Sequence, residues 1–308
     1  MADDERYLTL PPAAELFAPT AAMPDGWRVP VEGRLISYIY VGLTAIDFEI
    51  WLGGDNDLTL RLERPFTLRD RESIRRLDPR TTHKSELAPM LAVCDWTVSN
   101  FLVTSSGQLE IGFGEERRLV VEPVTDGRAW MIGWPFSGPD IVGSAAGAGP
   151  VILPSDEPWV LVEPDGSLPT TSQASLESIE SDSGVQLPIR GQVALVSATS
   201  LSIELTLPIP GGGDFDIHFG GDLRMTDAGG GELQLDAASA DRASLGPMLD
   251  LLGARLTESA IESPEQLHLV FADGRRLRAG PGTWEAHWPT VPGGLDEHWV
   301  PRDGPSIP

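Results

Sequence analysis

The sequence predicts an α+β protein of two homologous domains, each a strongly twisted antiparallel sheet, curling toward a half-barrel, with one covering helix. Three observations predict it. Residues 37–134 are echoed in register by residues 193–288. Short segments in both copies alternate apolar and polar residues, the period of a half-buried strand. Each copy also places one short apolar segment of helical character between two groups of strands, where it would cover the sheet's apolar face. In the echo, Leu87-Ala88-Pro89-Met90-Leu91 returns as Leu245-Gly246-Pro247-Met248-Leu249. Leu109, Ile111 and Phe113 return as Leu267, Leu269 and Phe271, and Arg117-Arg118-Leu119 as Arg275-Arg276-Leu277. Trp130 aligns with Trp288. Upstream, with a one-residue shift, Leu58, Leu60 and Leu62 fall on Phe215, Ile217 and Phe219. Apolar residues and turns recur more than polar ones, so the echo describes a fold before it describes a chemistry.

The elements follow in order. Ile46–Ile50 alternates apolar and acidic residues, Gly53–Asp57 reads as a turn, and Leu58–Leu62 alternates again, giving a hairpin that Phe66–Leu68 continues. The second copy repeats this with Ile203–Leu207, a Pro- and Gly-rich turn at Gly211–Gly213, and Phe215–Phe219. A helix of about two turns is expected from Ser85 as its cap, with Pro89 in the first turn, where a missing N–H is harmless. Its counterpart spans Ala243–Leu252 and stops at Gly253. Strands are expected at Thr97–Thr104, Gln108–Phe113, Arg118–Glu122 and Ala129–Trp134, separated by turns at Ser105–Gly107 and Gly114–Glu116; Ala272-Asp273-Gly274 supplies the matching turn in the second copy. A β-sandwich with an incidental helix is the alternative architecture.

The domain plan is a Pro-rich arm at 1–30, repeat domains at 31–135 and 191–289, a Gly-, Ser- and acid-rich linker at 136–190, and a tail at 290–308. Within the linker, Val151-Ile152-Leu153 and Trp159–Val162 are apolar exceptions suited to an edge strand. A repeat of about 100 residues matches the commonest domain size, so each copy is large enough for its own core.

Charge narrows the partners. The chain carries 46 acidic and 22 basic residues, a formal charge of −24. Such a surface repels a phosphate backbone, and no basic stripe with interleaved aromatics is present, so nucleic acid is not an expected partner. An acidic field favours encounter with basic proteins. The one cysteine, Cys94, lies in an apolar stretch and reads as a small buried hydrophobe within the helix. Met1-Ala2-Asp3-Asp4-Glu5-Arg6 lacks the apolar core of a secretory signal, and no run approaches the roughly 20 apolar residues of a membrane span. A cytoplasmic chain without membrane contact is expected.

Candidate chemistry is sparse. Glu285, His287, Asp296, Glu297 and His298 hold metal-binding residue types, but without a spacing that fixes their geometry. The pairs Asp55/Asp57 and Asp214/Asp216 resemble the start of a calcium loop but lack its closing ligands, and they suit hairpin turns for conformational reasons. Gly143–Gly149 lacks the strand, the helix and the Lys-Ser/Thr pair of a phosphate loop. No nucleophile elbow occurs, and the histidines at 83, 218, 268, 287 and 298 share no pattern between copies. His218 and His268 alternate with apolar neighbours and are expected to face solvent. Of the tryptophans Trp130, Trp134, Trp284 and Trp288, core packing is favoured over a binding role. No catalytic, cofactor-binding or metal-ligating residue is assigned, and no cofactor is expected.

Several motifs together resemble a poorly characterised bacterial domain family: Gly42-Leu43 to Phe48, the Leu-x-Pro-Met-Leu helix, Phe271–Leu277 and Trp284–Trp288. It is similar to small domains of unknown function in high-GC bacteria, some of them in toxin–immunity neighbourhoods. The charge of −24, the absence of a polar constellation shared by the copies and this resemblance together lead to the expectation of a soluble, non-enzymatic, immunity-like protein that binds a basic protein partner such as a toxin domain. The alternatives are an assembly subunit in which the copies form a fused pseudo-dimer and, more weakly, an enzyme with a site between the copies.

Overall fold

A computed structural model describes residues 22–23, 26–52, 57–124, 129–133, 140–143, 150–153, 179–181, 184–187, 189–208, 214–262, 266–288 and 297–299. The chain divides into two compact units. The first comprises Met1–Ile39, Thr44–Thr82 and Val93–Trp159; the second comprises Tyr40–Leu43, His83–Ala92 and Val160–Pro308.

The first unit carries β1 (Ala22–Met23), β2 (Gly26–Arg28), most of β3 (Ile36–Gly42), β4 (Ile46–Trp51), β5 (Asp57–Leu62), β6 (Phe66–Asp70) and β7 (Ser73–Leu77). It continues with β8 (Asn100–Thr104), β9 (Leu109–Phe113), β10 (Arg117–Val121), β11 (Trp130–Gly133), β12 (Asp140–Gly143) and β13 (Pro150–Leu153). One sheet runs β1-β2-β8-β9-β10-β6-β7, and a second contains the order β13-β12-β11-β5-β4-β3. Alternation does the folding work in both. Ile46, Phe48 and Ile50 are buried on one face of β4 while Asp47 and Glu49 take the other, and Leu58, Leu60 and Leu62 match them across the hairpin. Burying a side chain of this size contributes about 1.5–3 kcal/mol, so this one face anchors the hairpin. Phe66–Leu68 leaves that sheet for the other one, pairing with β10. Pro65 stands at the switch, where its missing N–H could not have continued the ladder.

The second unit holds a 3-10 turn (Lys84–Leu87) followed by α1 (Ala88–Leu91), and later a matching turn (Arg242–Leu245) followed by α2 (Gly246–Leu249). Its strands are β14 (Ile179–Ser181), β15 (Gly184–Gln186), β16 (Gly191–Gln192), β17 (Leu195–Ala198), β18 (Ile203–Pro208) and β19 (Asp214–Phe219), then β20 (Asp222–Thr226) and β21 (Glu232–Asp236). The last are β22 (Arg255–Glu262), β23 (Gln266–Phe271), β24 (Arg276–Ala279), β25 (Trp284–Trp288) and β26 (Glu297–Trp299). One sheet runs β14-β15-β22-β23-β24-β20-β21, with β16 also pairing β22; the other contains β17-β18-β19-β25-β26.

The architecture is mostly antiparallel sheet, with two helices of four residues each among the described residues. It is thus more β-rich than the expected α+β arrangement with a covering helix. Ser85 does not cap its helix: His83 precedes the 3-10 turn, and neither turn has a side-chain cap. Pro89 sits in the first turn of α1 as expected, and Gly253 takes the left-handed conformation (φ 76°) that ends the helical segment. Cys94 is buried as expected, but in the turn after α1, where its thiol donates to the Ser37 carbonyl at 3.5 Å.

Two further differences concern register and organisation. Trp130 stands opposite Leu62 and Trp284 opposite Phe219. Leu62 and Phe219 hold the same rung, since they pair with Ile46 and Ile203 on their other sides. Trp130 therefore corresponds to Trp284, not to Trp288. A Trp-x-x-x-Trp spacing occurs at 130–134 and at 284–288 and offers two alignments, and only the ladder chooses between them. Both tryptophans are fully buried, and Trp130 donates its indole N–H to the Gly107 carbonyl at 2.9 Å. Four strands, β12 to β15, fall within the stretch read as a linker, with Val151-Ile152-Leu153 in β13 at a sheet end. The turns at 53–56 and 211–213, Trp159–Val162, Trp134, and nearly all of the terminal arms lie outside the described residues.

A recurring polar feature was missed among the apolar ones. Lys84, the only lysine in the chain, and Arg242 each open a 3-10 turn, and both are buried. Lys84 donates to the Leu43 carbonyl at 2.6 Å, in the bend between β3 and β4. Arg242 donates to the carbonyls of Ala237 and Ser202, the latter in the bend between β17 and β18. A cation at this point ties a helical turn to a hairpin bend by donating to a carbonyl of that bend.

Candidate functional site

The most chemically loaded surface of the described chain is the polar face of β18, β19 and β25 in the second unit. Alternation builds it: Phe215, Ile217 and Phe219 of β19 point into the core, so Asp214, Asp216 and His218 line the opposite face. The ladder then sets neighbours. Glu204 pairs with His218, which pairs with Glu285; Thr206 pairs with Asp216, which pairs with His287. Backbone register adds His298 of β26 beside His287.

Side-chain contacts tighten this grid. His218 Nδ1 lies 2.8 Å from Glu204 Oε2, while Ser197 and Thr206 hydroxyls donate to Glu204 Oε1 at 3.2 and 3.3 Å. The His218 and His287 rings meet edge to face, 5.0 Å between centroids, and His287 Nε2 is 3.6 Å from Glu285 Oε2. The face is half open: His218 retains 32% of its side-chain exposure and His287 39%. His218 therefore does not simply face solvent. Neither does His268, whose Nδ1 lies 3.2 Å from Glu262.

Electrostatics divide the carboxylates. Burial works to raise the Glu204 carboxyl, but the hydrogen bond and charge of His218, with the two hydroxyls, hold it below its usual range. Burial works to lower His218, yet Glu204, Asp216 and Glu285 together push it up. Asp216 is raised, by burial first and then by the fields of Glu204 and Asp214, against a bond from Thr206.

The same rungs in the first unit are filled differently. Asp47 faces Arg61, the counterpart of Glu204 facing His218, and Arg61 lies 3.6 Å from Asp47 and 3.2 Å from Glu63. Thr59 stands where Asp216 stands, and Met131 and Gly133 stand where Glu285 and His287 stand. A permanent cation serves the first unit's face. In strands β17, β18, β19, β25 and β26 there is no Arg or Lys at all, and only histidines offset the carboxylates.

The structure thus brings together two members of the C-terminal cluster, Glu285 and His287, with residues the sequence reading set apart: Glu204, Asp216 and His218. Glu297 and His298 are placed by backbone only, and Asp296 lies outside the described residues. Among the described residues, no group of three or more His, Cys, Asp or Glu side chains has the geometry to hold a metal ion. Asp214 and Asp216 lie within a strand rather than a turn, and Asp57 likewise begins β5; Asp55 is outside the described residues. Of the Gly143–Gly149 segment only Gly143 is described, at the end of β12. His83 precedes the first 3-10 turn. No single local motif could have announced the face, since its members come from three strands; the clue was the Asp-x-Asp-x-His alternation of β19.

No helix among the described residues is long and apolar enough to cross a membrane. Residues 27–147 match the model of a family of unknown function (DUF6188), a span covering β3 to β12 and consistent with a poorly characterised family. No curated protein and no solved structure matches the chain.

Proposed function

We propose that this chain is a non-enzymatic acidic binding module of immunity-protein type, which docks a basic protein partner on the polar face of β18, β19 and β25. The observation that carries the reading is that His218 stands where the first unit has Arg61, with a further carboxylate at Glu285 where the first unit has Met131. At neutral pH and above, that face holds more negative charge than its own cations balance. A partner's Arg or Lys side chain placed there would supply the missing counter-charge, and a bidentate Arg would suit the half-buried carboxylates best. The chain's charge of −24 would speed the encounter. Protonation of His218 on acidification would weaken docking, because the face then supplies its own cation.

The same reading treats the chain as a tandem duplication with repeats at 31–135 and 191–289. The matching strand orders β1-β2-β8-β9-β10-β6-β7 and β14-β15-β22-β23-β24-β20-β21 support it, as do the paired helical turns. Residues that differ between copies are then candidates for function, and the exchange of Arg61 for His218 lies on the face of β19.

The test is affinity capture from extract of the native host at low and moderate salt, followed by titration of the recovered protein. Asp216→Asn with Glu285→Gln should weaken binding at least about tenfold, a loss of roughly 1.4 kcal/mol. Retention of no basic protein, or equal binding by the neutralised variant, would overturn the proposal.

A further inference from the structure

Two sheet ends carry opposite charge on corresponding strands. β7 ends the sheet that begins at β1, and β21 ends the sheet that begins at β14; among the described residues neither has a neighbour on its outer side. Each is the second strand of a hairpin, β6–β7 and β20–β21, and each has a single buried leucine near its C-terminal end, Leu77 or Leu235. Their exposed residues differ. β7 presents Ile74, 69% exposed, with Arg75 and Arg76; β21 presents Leu233, 43% exposed, with Glu232, Gln234 and Asp236. A basic edge stands out in a chain with 46 acidic and 22 basic residues.

An unpaired edge exposes backbone N–H and C=O groups that can template another strand. Charge decides which strand. Pairing β7 with another β7 would set Arg75 and Arg76 against their own kind, and pairing β21 with itself would oppose Glu232 and Asp236. With outer faces matched, the mixed pairing is the one that can set Arg76 opposite Glu232 or Asp236, whereas facing like charges are unfavourable; Arg75, on the other face, adds to the basic charge of the edge. Alternation agrees: Ile74 and Arg76 share the face of Arg69 and Thr67, and Glu232 and Gln234 share the face of Thr226 and Arg224. Polar outer faces therefore stay outward on both partners.

We propose that β7 of one copy of this chain pairs antiparallel with β21 of a second copy, giving a head-to-tail, heterologous association. The proposal does not depend on the partner reading above, since it uses other strands and other residues.

Sedimentation velocity on the full chain at about 0.15 M salt, where long-range repulsion is screened beyond roughly 8 Å, tests it. Mass should rise above one chain with concentration. Arg75→Glu with Arg76→Glu, and separately Glu232→Arg with Asp236→Arg, should each weaken association at least about tenfold. All four positions are exposed, and circular dichroism confirms that the variants remain folded. An equimolar mixture of the two variants should recover association, because each then offers the other a complementary edge. A wild-type chain that stays at the mass of one copy, variants that associate like the wild type, or a mixture that stays monomeric would each overturn the proposal.

Discussion

Asp47 and Glu204 occupy the same rung of their ladders and titrate in opposite directions. Burial raises the Asp47 carboxyl to about 6; Arg61 opposes this, and Glu63 and Glu49 add to it. Glu204 is held low instead, because His218 and two hydroxyls donate to it directly. The sign of the consequence follows. A carboxyl with a folded value above its usual 3.8 takes up its proton earlier in the native state. The ionised form therefore costs stability above pH 6, and that cost disappears as pH falls toward 3.8. Asp47→Asn should raise stability at pH 7 by about 1–2 kcal/mol, a figure reduced for its partial exposure. The gain should shrink to nothing near pH 4. Urea unfolding at both pH values measures it, and a variant less stable than wild type at pH 7 would show that the Arg61 pair outweighs burial. None of this was legible in the sequence: Asp47 reads as one acidic residue on a strand, and its environment depends on which residue stands on the facing strand.

Ala88 and Gly246 begin the two short helices, and at Gly246 a Cβ atom would lie 2.7 Å from the Ala88 Cβ. No real pair of carbons sits that close, so the two helical turns meet where only one of the pair can carry a methyl group. The approach is reinforced by the Ser85 backbone N–H, which donates to Asp250 Oδ1 at 2.9 Å. Gly246→Ala should cost about 1–3 kcal/mol by overpacking. Adding Ala88→Gly should recover at least half of it, since the methyl group then moves from one side of the contact to the other. Thermal or urea unfolding of the single and double variants decides; no recovery would mean that the backbone, not the methyl contact, sets the cost. The helices show where sequence reading worked and where it stopped. Leu-x-Pro-Met-Leu located both, alternation located β4, β5, β18 and β19, and the echo of Leu109, Ile111 and Phe113 points from β9 to β23. Alternation missed β7 and β21, because Ser73–Leu77 and Glu232–Asp236 bury only one leucine each and alternation needs a covered face to appear. The length of each helical segment agrees with the two turns expected, but its first half is a 3-10 turn and only four residues are α-helical. Lys84 and Arg242 are not legible as a pair because they differ in residue type, although position, burial and acceptor class agree.

A formal charge of −24 acts on the folded chain beyond any one contact. Compaction brings like charges together, and that self-repulsion weakens as salt screens it. Specific ion pairs act the other way, since salt weakens them too. The exposed ones here are poor candidates to dominate: Arg71 and Glu116 lie 3.0 Å apart but keep 71% and 59% of their side-chain exposure, and pairs of that kind are worth at most about 1 kcal/mol. The pair formed by Glu204 and His218 is more sheltered, yet it is one pair against a surplus of carboxylates. Raising salt from about 10 mM to about 150 mM should therefore stabilise the chain, lifting its thermal midpoint by roughly 2–4 °C for each kcal/mol of repulsion relieved. Calorimetry at fixed pH and several salt concentrations reads this directly. A midpoint that falls over that range would mean that local pairing outweighs the excess charge, and the chain's acidity would then lose its value as a guide to a basic partner.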